Sequence, residues 1–230
     1  SGTKAIFATP HVIERANKPS WEEIKEKTQQ LRQLCAEAQI DIMLYPGAEV
    51  QMNWELLPEL GATGAYCLNG GRYLLVELPA AEIPAYADEF WYELELKGIT
   101  PILAHPERYQ QLRENPDLLL LWRRRGMLMQ CNSGSFTGMF GSSVCENAKV
   151  LLANGLVDLL GSDGHRSEGR NTDMSRAAAV IRQLAGEEVL RQLTETNPQA
   201  ILKNQEIELK QPKVLLEDKP KSFWQRLFGK

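Results

Sequence analysis

The sequence predicts an α/β fold built from parallel β/α units. Short apolar runs alternate with amphipathic stretches along its 230 residues, which is the pattern of strands separated by crossover helices. Several of these runs are followed by histidine or carboxylate residues, and in parallel β/α folds the carboxyl ends of the strands share one face, where active sites form. Such a sheet is either doubly wound or closed as a barrel.

Six strands are predicted, each a short apolar run bounded by turn residues. The second is stopped by Pro46-Gly47 and the third by Pro79, because proline has no N–H to donate to a sheet ladder. The predicted strands are 6–8, 41–45, 73–78, 99–104, 127–131 and 157–160.

Helices are predicted between the strands from apolar spacing and from capping residues. Ser20 and Glu23 form a capping box at the start of the first helix. Gly98 and Gly126 mark the ends of two later helices, since glycine readily adopts the conformation that stops a helix. The predicted helices are 20–39, 53–60, 84–97, 116–125, 142–154, 172–184 and 186–196, with a short final helix from Asn197-Pro198.

Composition is typical of a soluble globular protein and excludes several classes. The chain is 43% hydrophobic and 24% charged, which suits a sizeable core. Its net charge of −4 argues against nonspecific nucleic-acid binding, so we expect no nucleic-acid partner. The longest apolar run, residues 118–122, is far shorter than the roughly 20 residues of a membrane span, and no secretory signal opens the sequence. Four scattered cysteines indicate free thiols and a cytoplasmic protein.

The sequence predicts one domain over residues 1–204 and a tail over residues 205–230. The tail is rich in Lys and Glu and contains two prolines. It ends in a short amphipathic segment, residues 222–230, that could dock on a partner, on a membrane surface or on its own domain.

The three histidines of the chain each follow a predicted strand. His11 comes after the first strand, His105 after the fourth and His165 after the sixth. Because the carboxyl ends of parallel strands meet at one rim, we expect the three imidazoles to lie near one another. A structural role is the simpler interpretation of any one histidine, but three at strand ends indicate a shared site.

Three carboxylates accompany the histidines. Glu49 and Glu77 lie at the carboxyl ends of the second and third strands, and Asp163 lies two residues before His165, so that both of these last side chains can point to the same side. Carboxylates a few ångströms apart repel one another unless a cation lies between them. Mixed histidine and carboxylate sets suit Zn, Mn or Fe. The sequence therefore predicts a divalent metal site.

Two arginines are candidates for holding an anionic substrate. Arg108 lies three residues after His105, and Arg170 lies five residues after His165. The planar guanidinium suits a phosphate group, although either arginine alone could equally pair with a carboxylate. The three arginines at 123–125 end a predicted helix, where cations offset the helix dipole, and we interpret them as structural.

Several other catalytic motifs are absent from the sequence. It contains no GxSxG elbow, no GxxxxGK[ST] loop and no GxGxxG turn. A thiol phosphatase would need an arginine six residues after a cysteine, and none of the four cysteines is followed in that way.

The strand-end segments together resemble the polymerase-and-histidinol-phosphatase (PHP) domain, and within it the bacterial tyrosine-protein phosphatases of the CpsB/CapC/YwqE type. The resemblance runs from residue 4 to about residue 204 and rests on the order and spacing of six short motifs. These are Ala8-Thr9-Pro10-His11, Gly47-Ala48-Glu49, Val76-Glu77-Leu78-Pro79, Ala104-His105-Pro106-Glu107-Arg108, Gln130-Cys131-Asn132 and Ser162-Asp163-Gly164-His165. It implies a distorted (β/α)7 TIM-like barrel with a site for up to three metal ions.

The resemblance also implies roles for individual residues. The metal ligands would be His11, Glu49, Glu77, His105, Asp163 and His165. Arg108 and Arg170 would bind the substrate phosphate and serve as catalytic residues. Manganese is the implied metal, with iron or zinc as alternatives.

The implied reaction is hydrolysis of phosphotyrosine on a bacterial tyrosine kinase, within its C-terminal tyrosine cluster. The process that the resemblance implies is capsule or exopolysaccharide biosynthesis. The oligomeric state stays open, and a homo-oligomer is one of the options.

One part of the family pattern is missing from this sequence. The family opens with a strand that carries His-x-His, a pair that binds one of the metals, and no such motif occurs here. We expect that the first β/α unit, some 30 residues long, is missing and that the 1–204 domain is incomplete. The chain would then bind fewer metals, be weak or inactive, and leave unpaired backbone groups on its first strand.

Two alternative functions stay open on the sequence. One is a PHP hydrolase of small phosphate esters such as histidinol phosphate, which composition does not exclude. The other is a catalytically impaired regulatory or scaffold protein, which the missing His-x-His supports. A comparison of substrates distinguishes the first alternative, and metal content distinguishes the second.

Overall fold

The strands of the sheet are all parallel to their neighbours, as the alternating sequence pattern predicts. The computed structural model describes residues 2–61, 64–210 and 212. Its strands are β1 (Ala5–Ala8), β2 (His11–Val12), β3 (Met43–Pro46), β4 (Glu49–Gln51), β5 (Tyr73–Glu77), β6 (Thr100–Ala104), β7 (Leu128–Asn132) and β8 (Leu159–Gly161).

The earlier helices lie between strands and the last three follow the final strand, and most begin or end within three residues of the predicted bounds. The capping box is confirmed, because the backbone N–H of Ser20 donates to the Glu23 carboxylate and that of Glu23 to the Ser20 hydroxyl. The helices are α1 (Trp21–Glu37), α2 (Ala87–Leu96), α3 (Gln110–Glu114), α4 (Asp117–Arg124), α5 (Ser133–Phe136), α6 (Ser142–Ala153), α7 (Ser175–Ala185), α8 (Glu187–Arg191) and α9 (Asn197–Leu202).

Two of the six predicted strands are each followed by a second short segment that the sequence analysis did not predict. β1 and β2 are separated at Thr9-Pro10, and β3 and β4 at Gly47-Ala48. The breaks lie at the same level, since β1 pairs with β3 and β2 with β4, and Pro10 has no N–H for the ladder. His11 and Glu49, which the sequence places after strands, lie instead within the second segments, where they are direct partners.

The larger sheet has the order β2-β4-β5-β6-β7-β8, so each strand lies beside the next one along the chain. A doubly wound sheet contains a point where the strand order reverses. This sheet has no such point, so it is not doubly wound. A flat sheet of six strands would place its edges roughly 24 Å apart. The ring of His11, on one edge strand, and the ring of His165, four residues beyond the other edge strand, have centroids only 5.6 Å apart. The sheet therefore curls into a half-barrel.

Strand residues alternate between two apolar clusters on opposite faces of the sheet. Leu74 and Val76 pack in a large cluster that includes the helices, whereas Tyr73 and Leu75 pack in a smaller one on the other face. Glu77 continues the series of Tyr73 and Leu75. The same alternation that buries the core therefore directs a carboxylate to the inside of the curl, at the carboxyl end of the strand.

The first residues of the predicted tail lie against the amino-terminal end of the strands. Ile207 is buried in the smaller cluster, and the hydroxyl of Tyr73 donates to the carbonyl oxygen of Gln205 at 2.6 Å. The amphipathic segment 222–230 lies outside the described residues. Within the described ranges, none of the helices has the length and hydropathy of a membrane span. All four cysteines are free thiols.

Candidate metal centre and phosphate site

His11, Glu49 and Glu77 converge at the carboxyl end of the sheet. Each offers one nitrogen or oxygen ligand atom, and the three atoms lie within 4.8 Å of one another. Nδ1 of His11 is 3.1 Å from Oε1 of Glu77. The strand register produces this arrangement, because His11 pairs with Glu49, and Gln51 of the same strand pairs with Glu77.

His105 adds a second imidazole to these carboxylates. Its Nε2 lies 2.9 Å from Oε1 of Glu49 and 3.9 Å from Oε2 of Glu77. The residue is buried, and its backbone is left-handed, with φ of +38°. A left-handed conformation in a residue other than glycine costs on the order of 1 kcal/mol or more, and the following Pro106 disfavours the ordinary helical region. The fold thus holds a strained turn where the imidazole meets two carboxylates.

The donor set fits a divalent cation. Two carboxylates that share an imidazole repel one another unless a proton or a cation lies between them. The neighbouring Glu77 carboxylate raises the pKa of His11, which is the response expected when a proton provides the balancing charge. Nδ1 of His105 is buried without a hydrogen-bond partner among the described residues. Nitrogen and carboxylate oxygen together suit Mn, Fe or Zn, so the residues can hold a divalent cation of this kind.

Asp163 forms a second cluster beside the first. Its Oδ2 accepts hydrogen bonds from Nη2 of Arg170 and, at 2.6 Å, from Nδ2 of Asn132. Nη1 of Arg108 lies 3.5 Å from the same oxygen. Asp163 has φ of +50°, the second strained backbone in the site. Two guanidinium groups from different strand ends therefore meet at a single carboxylate oxygen.

His165 joins the two clusters. Its Nδ1 lies 3.4 Å from Oδ1 of Asp163 and 3.0 Å from the Asp163 carbonyl oxygen, and its ring lies beside that of His11. The backbone N–H of His165 donates to the carbonyl oxygen of Arg170 at 2.8 Å, which closes the loop between them. The structure therefore brings all eight sequence-predicted side chains to one rim, as two adjoining clusters.

Asn132 is a site residue that the sequence analysis did not assign. It ends β7, the same position that marked the other candidates, so its place at a strand end was the available signal. The buried carboxylate of Glu107 anchors it, because Oε1 accepts from the backbone N–H of Asn132 at 2.9 Å and from the Ser135 hydroxyl at 2.6 Å. Glu107 thereby ties the turn that carries His105 and Arg108 to the end of β7.

A groove of about 670 Å³ opens beside the metal-ligand cluster. It is lined by Glu77, His105, Arg108 and Tyr109 and by the loop of residues 78–82. The hydroxyl of Tyr109 accepts from the backbone N–H of Leu78 at 2.9 Å, which fixes one wall. The groove therefore gives access to Glu77 and His105 of the site.

Comparisons with known proteins identify the family of the chain. Residues 1–203 match the family model described as capsular polysaccharide synthesis, CpsB/CapC. Tyrosine-protein phosphatase YwqE of Bacillus subtilis is 34% identical over 206 residues, which cover 90% of this chain and 81% of that protein. Tyrosine-protein phosphatase CpsB of Streptococcus pneumoniae is 27% identical over 209 residues, which cover 89% of this chain and 86% of that protein.

A solved structure shares the fold. It is described as one of the crystal structures of YwqE from Bacillus subtilis and CpsB from Streptococcus pneumoniae, unique metal-dependent tyrosine phosphatases. The TM-score is 0.84 at 31% identity, over 93% of this chain and 86% of the other. The resemblance noted from the strand-end motifs is confirmed, and the chain belongs to the CpsB/CapC family.

Proposed function

We propose that the chain is a metal-dependent hydrolase of phosphotyrosine in proteins. The observation that carries this function is the meeting of the His11, Glu49 and Glu77 ligand atoms with the guanidiniums of Arg108 and Arg170 at one rim. Relatives that are named tyrosine-protein phosphatases support the substrate class. The related structure, described as metal-dependent, supports the cofactor class.

The proposed metal is manganese, with iron or zinc as alternatives, and the resemblance implies up to three ions in a complete barrel. When bound, the metal would supply Lewis-acid polarisation of the phosphoryl group and an activated water. The proposed ligands are His11, Glu49, Glu77, His105, Asp163 and His165.

Arg108 and Arg170 would bind the phosphate and stabilise the charge on its equatorial oxygens during in-line displacement. Their guanidiniums already converge on one anionic oxygen, that of Asp163. Two guanidiniums that converge in this way could both donate to the oxygens of a bound phosphate. The hydrogen bond from Asn132 keeps Asp163 oriented between them. A tyrosine phenol has a pKa of about 10, so its phenoxide leaves far more readily than a serine alkoxide.

The proposed partner is the C-terminal tyrosine cluster of a bacterial tyrosine kinase that acts in capsule or exopolysaccharide synthesis. The family description supports the process. The groove beside Arg108 supports a peptide substrate, because it leaves space for residues that flank the phosphotyrosine. Free thiols at all four cysteines support a cytoplasmic location.

The complete fold is proposed to be a (β/α)7 barrel of the PHP type, of which this sequence lacks the first β/α unit. What supports it is the open edge of the half-barrel: among the described residues, β2 pairs only with β4 and β8 only with β7. The division into a 1–204 domain and a 205–230 tail and the oligomeric state stay predictions.

Hydrolysis assays test the proposed function. The chain, loaded with Mn²⁺, is compared on a phosphotyrosyl peptide, the matched phosphoseryl peptide and histidinol phosphate. We expect the phosphotyrosyl peptide to be cleaved fastest, with loss of activity in EDTA and recovery on adding Mn²⁺. Activity that survives exhaustive chelation would contradict metal dependence. Faster cleavage of histidinol phosphate would favour the small-ester hydrolase. Absence of cleavage with Mn²⁺ bound, both by this chain and by one extended with the first β/α unit, would favour the scaffold.

A further inference from the structure

The loop between α5 and α6 places one aromatic ring beside both proposed phosphate-binding arginines. The ring centroid of Phe140 lies 4.6 Å from Cζ of Arg108 and 5.6 Å from Cζ of Arg170. A guanidinium within about 6 Å of a ring centroid is attracted by the electron-rich face of the ring. A single side chain, contributed by neither arginine's own segment, therefore contacts both cations.

The backbone holds this ring in place independently of the arginines. A Cβ at Gly134 would lie 3.0 Å from Cε2 of Phe140 and 2.9 Å from Sδ of Met139, so the loop packs closely against α5. Gly138 and Gly141 have φ of +81° and +93°, conformations that other residues rarely adopt. The loop is thus shaped to bring the ring to its position.

Without a further contact, the side chains of the two arginines would be free to move away from the rim. Both direct a guanidinium nitrogen toward Oδ2 of Asp163, and like charges this close repel one another. Their side chains are 33% and 29% exposed, so other conformations that extend into solvent are available to them. A shared ring favours the conformation in which both remain at the rim.

We infer that Phe140 is a positioning residue that holds Arg108 and Arg170 in the orientation that binds phosphate. This inference rests on the proposed function and adds to its phosphate site a residue that acts through the two arginines. The aromatic face of the ring is the required property, and its apolar volume alone does not suffice.

Two substitutions separate these properties. F140L keeps most of the volume and removes the aromatic face, whereas F140Y keeps the ring. Dissociation of inorganic phosphate from the Mn²⁺-loaded chain is measured by calorimetry, and KM and kcat are measured on a phosphotyrosyl peptide. For F140L we expect phosphate affinity to fall on the order of 10-fold and KM to rise in parallel. Mn²⁺ content and melting temperature should match those of the unsubstituted chain, and F140Y should retain phosphate affinity.

The outcomes distinguish this inference from the function on which it rests. If the unsubstituted chain binds phosphate and cleaves the peptide but F140L does so equally well, the inference fails and the proposed function stands. If F140L and F140Y both lose Mn²⁺ or melt early, the role is structural and the inference fails. If the unsubstituted chain neither binds phosphate nor cleaves the peptide, the proposed function fails and the inference with it.

Discussion

The two ends of the half-barrel each carry a cluster of arginine and aspartate, and the clusters differ in what surrounds them. At the amino-terminal end of the strands, Arg123 pairs with Asp158. At the carboxyl end, Arg108 and Arg170 meet at Asp163. The residue types are the same, so the difference between the clusters shows what distinguishes a stabilising ion pair from a site that can accept a ligand.

The Arg123 cluster is buried and its charges are well satisfied. Nη2 of Arg123 lies 2.8 Å from Oδ1 of Asp158 and 2.9 Å from the carbonyl oxygen of Gly155. Oδ2 of Asp158 also accepts from Nη1 of Arg123 and from the backbone N–H of Met129. Both side chains are at least nine-tenths buried. Such a cluster has little capacity left for a further ligand.

The Asp163 cluster is incomplete by comparison. Nε of Arg170 and Oδ1 of Asn132 are buried without a hydrogen-bond partner in the described part of the chain. The backbone of Asp163 is strained, and both arginines are partly exposed. Unpartnered polar atoms and strain persist where function requires them. The contrast teaches that the surroundings of an arginine–aspartate pair, more than the residue types, indicate its role.

The largest effect is expected at the buried cluster. R123A would leave Asp158 buried without its cation and lower the free energy of unfolding by about 3–5 kcal/mol. Denaturant unfolding measures the change. The matched control is R124A, because Arg124 is the exposed neighbour on the same helix and should change stability by no more than about 0.5 kcal/mol. Equal effects of the two substitutions would show that the Arg123 pair is not stabilising.

At the rim, the corresponding substitution should affect activity instead of stability. R108A removes a donor that we propose stabilises the phosphoryl group, and we expect kcat on a phosphotyrosyl peptide to fall about 10²- to 10³-fold. Because Arg108 is partly exposed, the free energy of unfolding should change by less than about 1 kcal/mol. A large loss of stability with normal kcat would place Arg108 in the same class as Arg123.

Two asparagines offer a matched test of the same contrast. Asn132 donates to the carboxylate of Asp163, and Asn197 donates to the carbonyl oxygen of Asp158 at 2.8 Å. N132A should weaken Mn²⁺ binding about 10- to 100-fold, because partners of metal ligands orient them. N197A should cost about 1 kcal/mol of stability and leave Mn²⁺ affinity unchanged. Calorimetric titration measures the Mn²⁺ affinity of both variants, and denaturant unfolding measures their stability. Weaker Mn²⁺ binding by N197A with unchanged binding by N132A would contradict the difference between the two clusters.

The smallest expected effect is on the pH dependence of stability and comes from the buried thiol of Cys67. Burial raises the pKa of Cys67 to about 12. In the unfolded chain the thiol ionises near pH 8.5, so the unfolded state gains thiolate first, and stability should decline by less than about 1 kcal/mol between pH 8 and pH 9. At pH 8 we expect a thiol reagent to modify the part-exposed Cys35 but not Cys67. Rapid modification of Cys67 in the folded chain would contradict its burial.

Much of the fold was predictable because it depends on local patterns. Apolar runs and capping residues located the strands and the longer helices, and the Ser20 capping box was confirmed. The second segments were not predictable, because β2, for example, spans only His11–Val12 and so is too short to show a period. The same holds for α5, which has four residues.

The side chains that form the candidate site were predictable from the sequence, whereas the residues that hold them in place were not. Strand ends share one face in parallel β/α folds, so each strand-end side chain could be placed at the rim from its position alone. Phe140 and Glu107 act through contacts with segments distant in sequence, which no local pattern reveals. Arg123 was interpreted as structural through the helix dipole, whereas its partner is Asp158, 35 residues away.

A Mn²⁺ titration tests most directly whether the rim is a metal site. Ions bound per chain are counted by mass spectrometry after desalting, for the unsubstituted chain and for E49Q combined with E77Q, with circular dichroism to confirm that both are folded. We predict that the unsubstituted chain retains at least one Mn²⁺ and that the folded double variant retains none. An unsubstituted chain that retains no Mn²⁺, or a double variant that retains as much, would contradict this account.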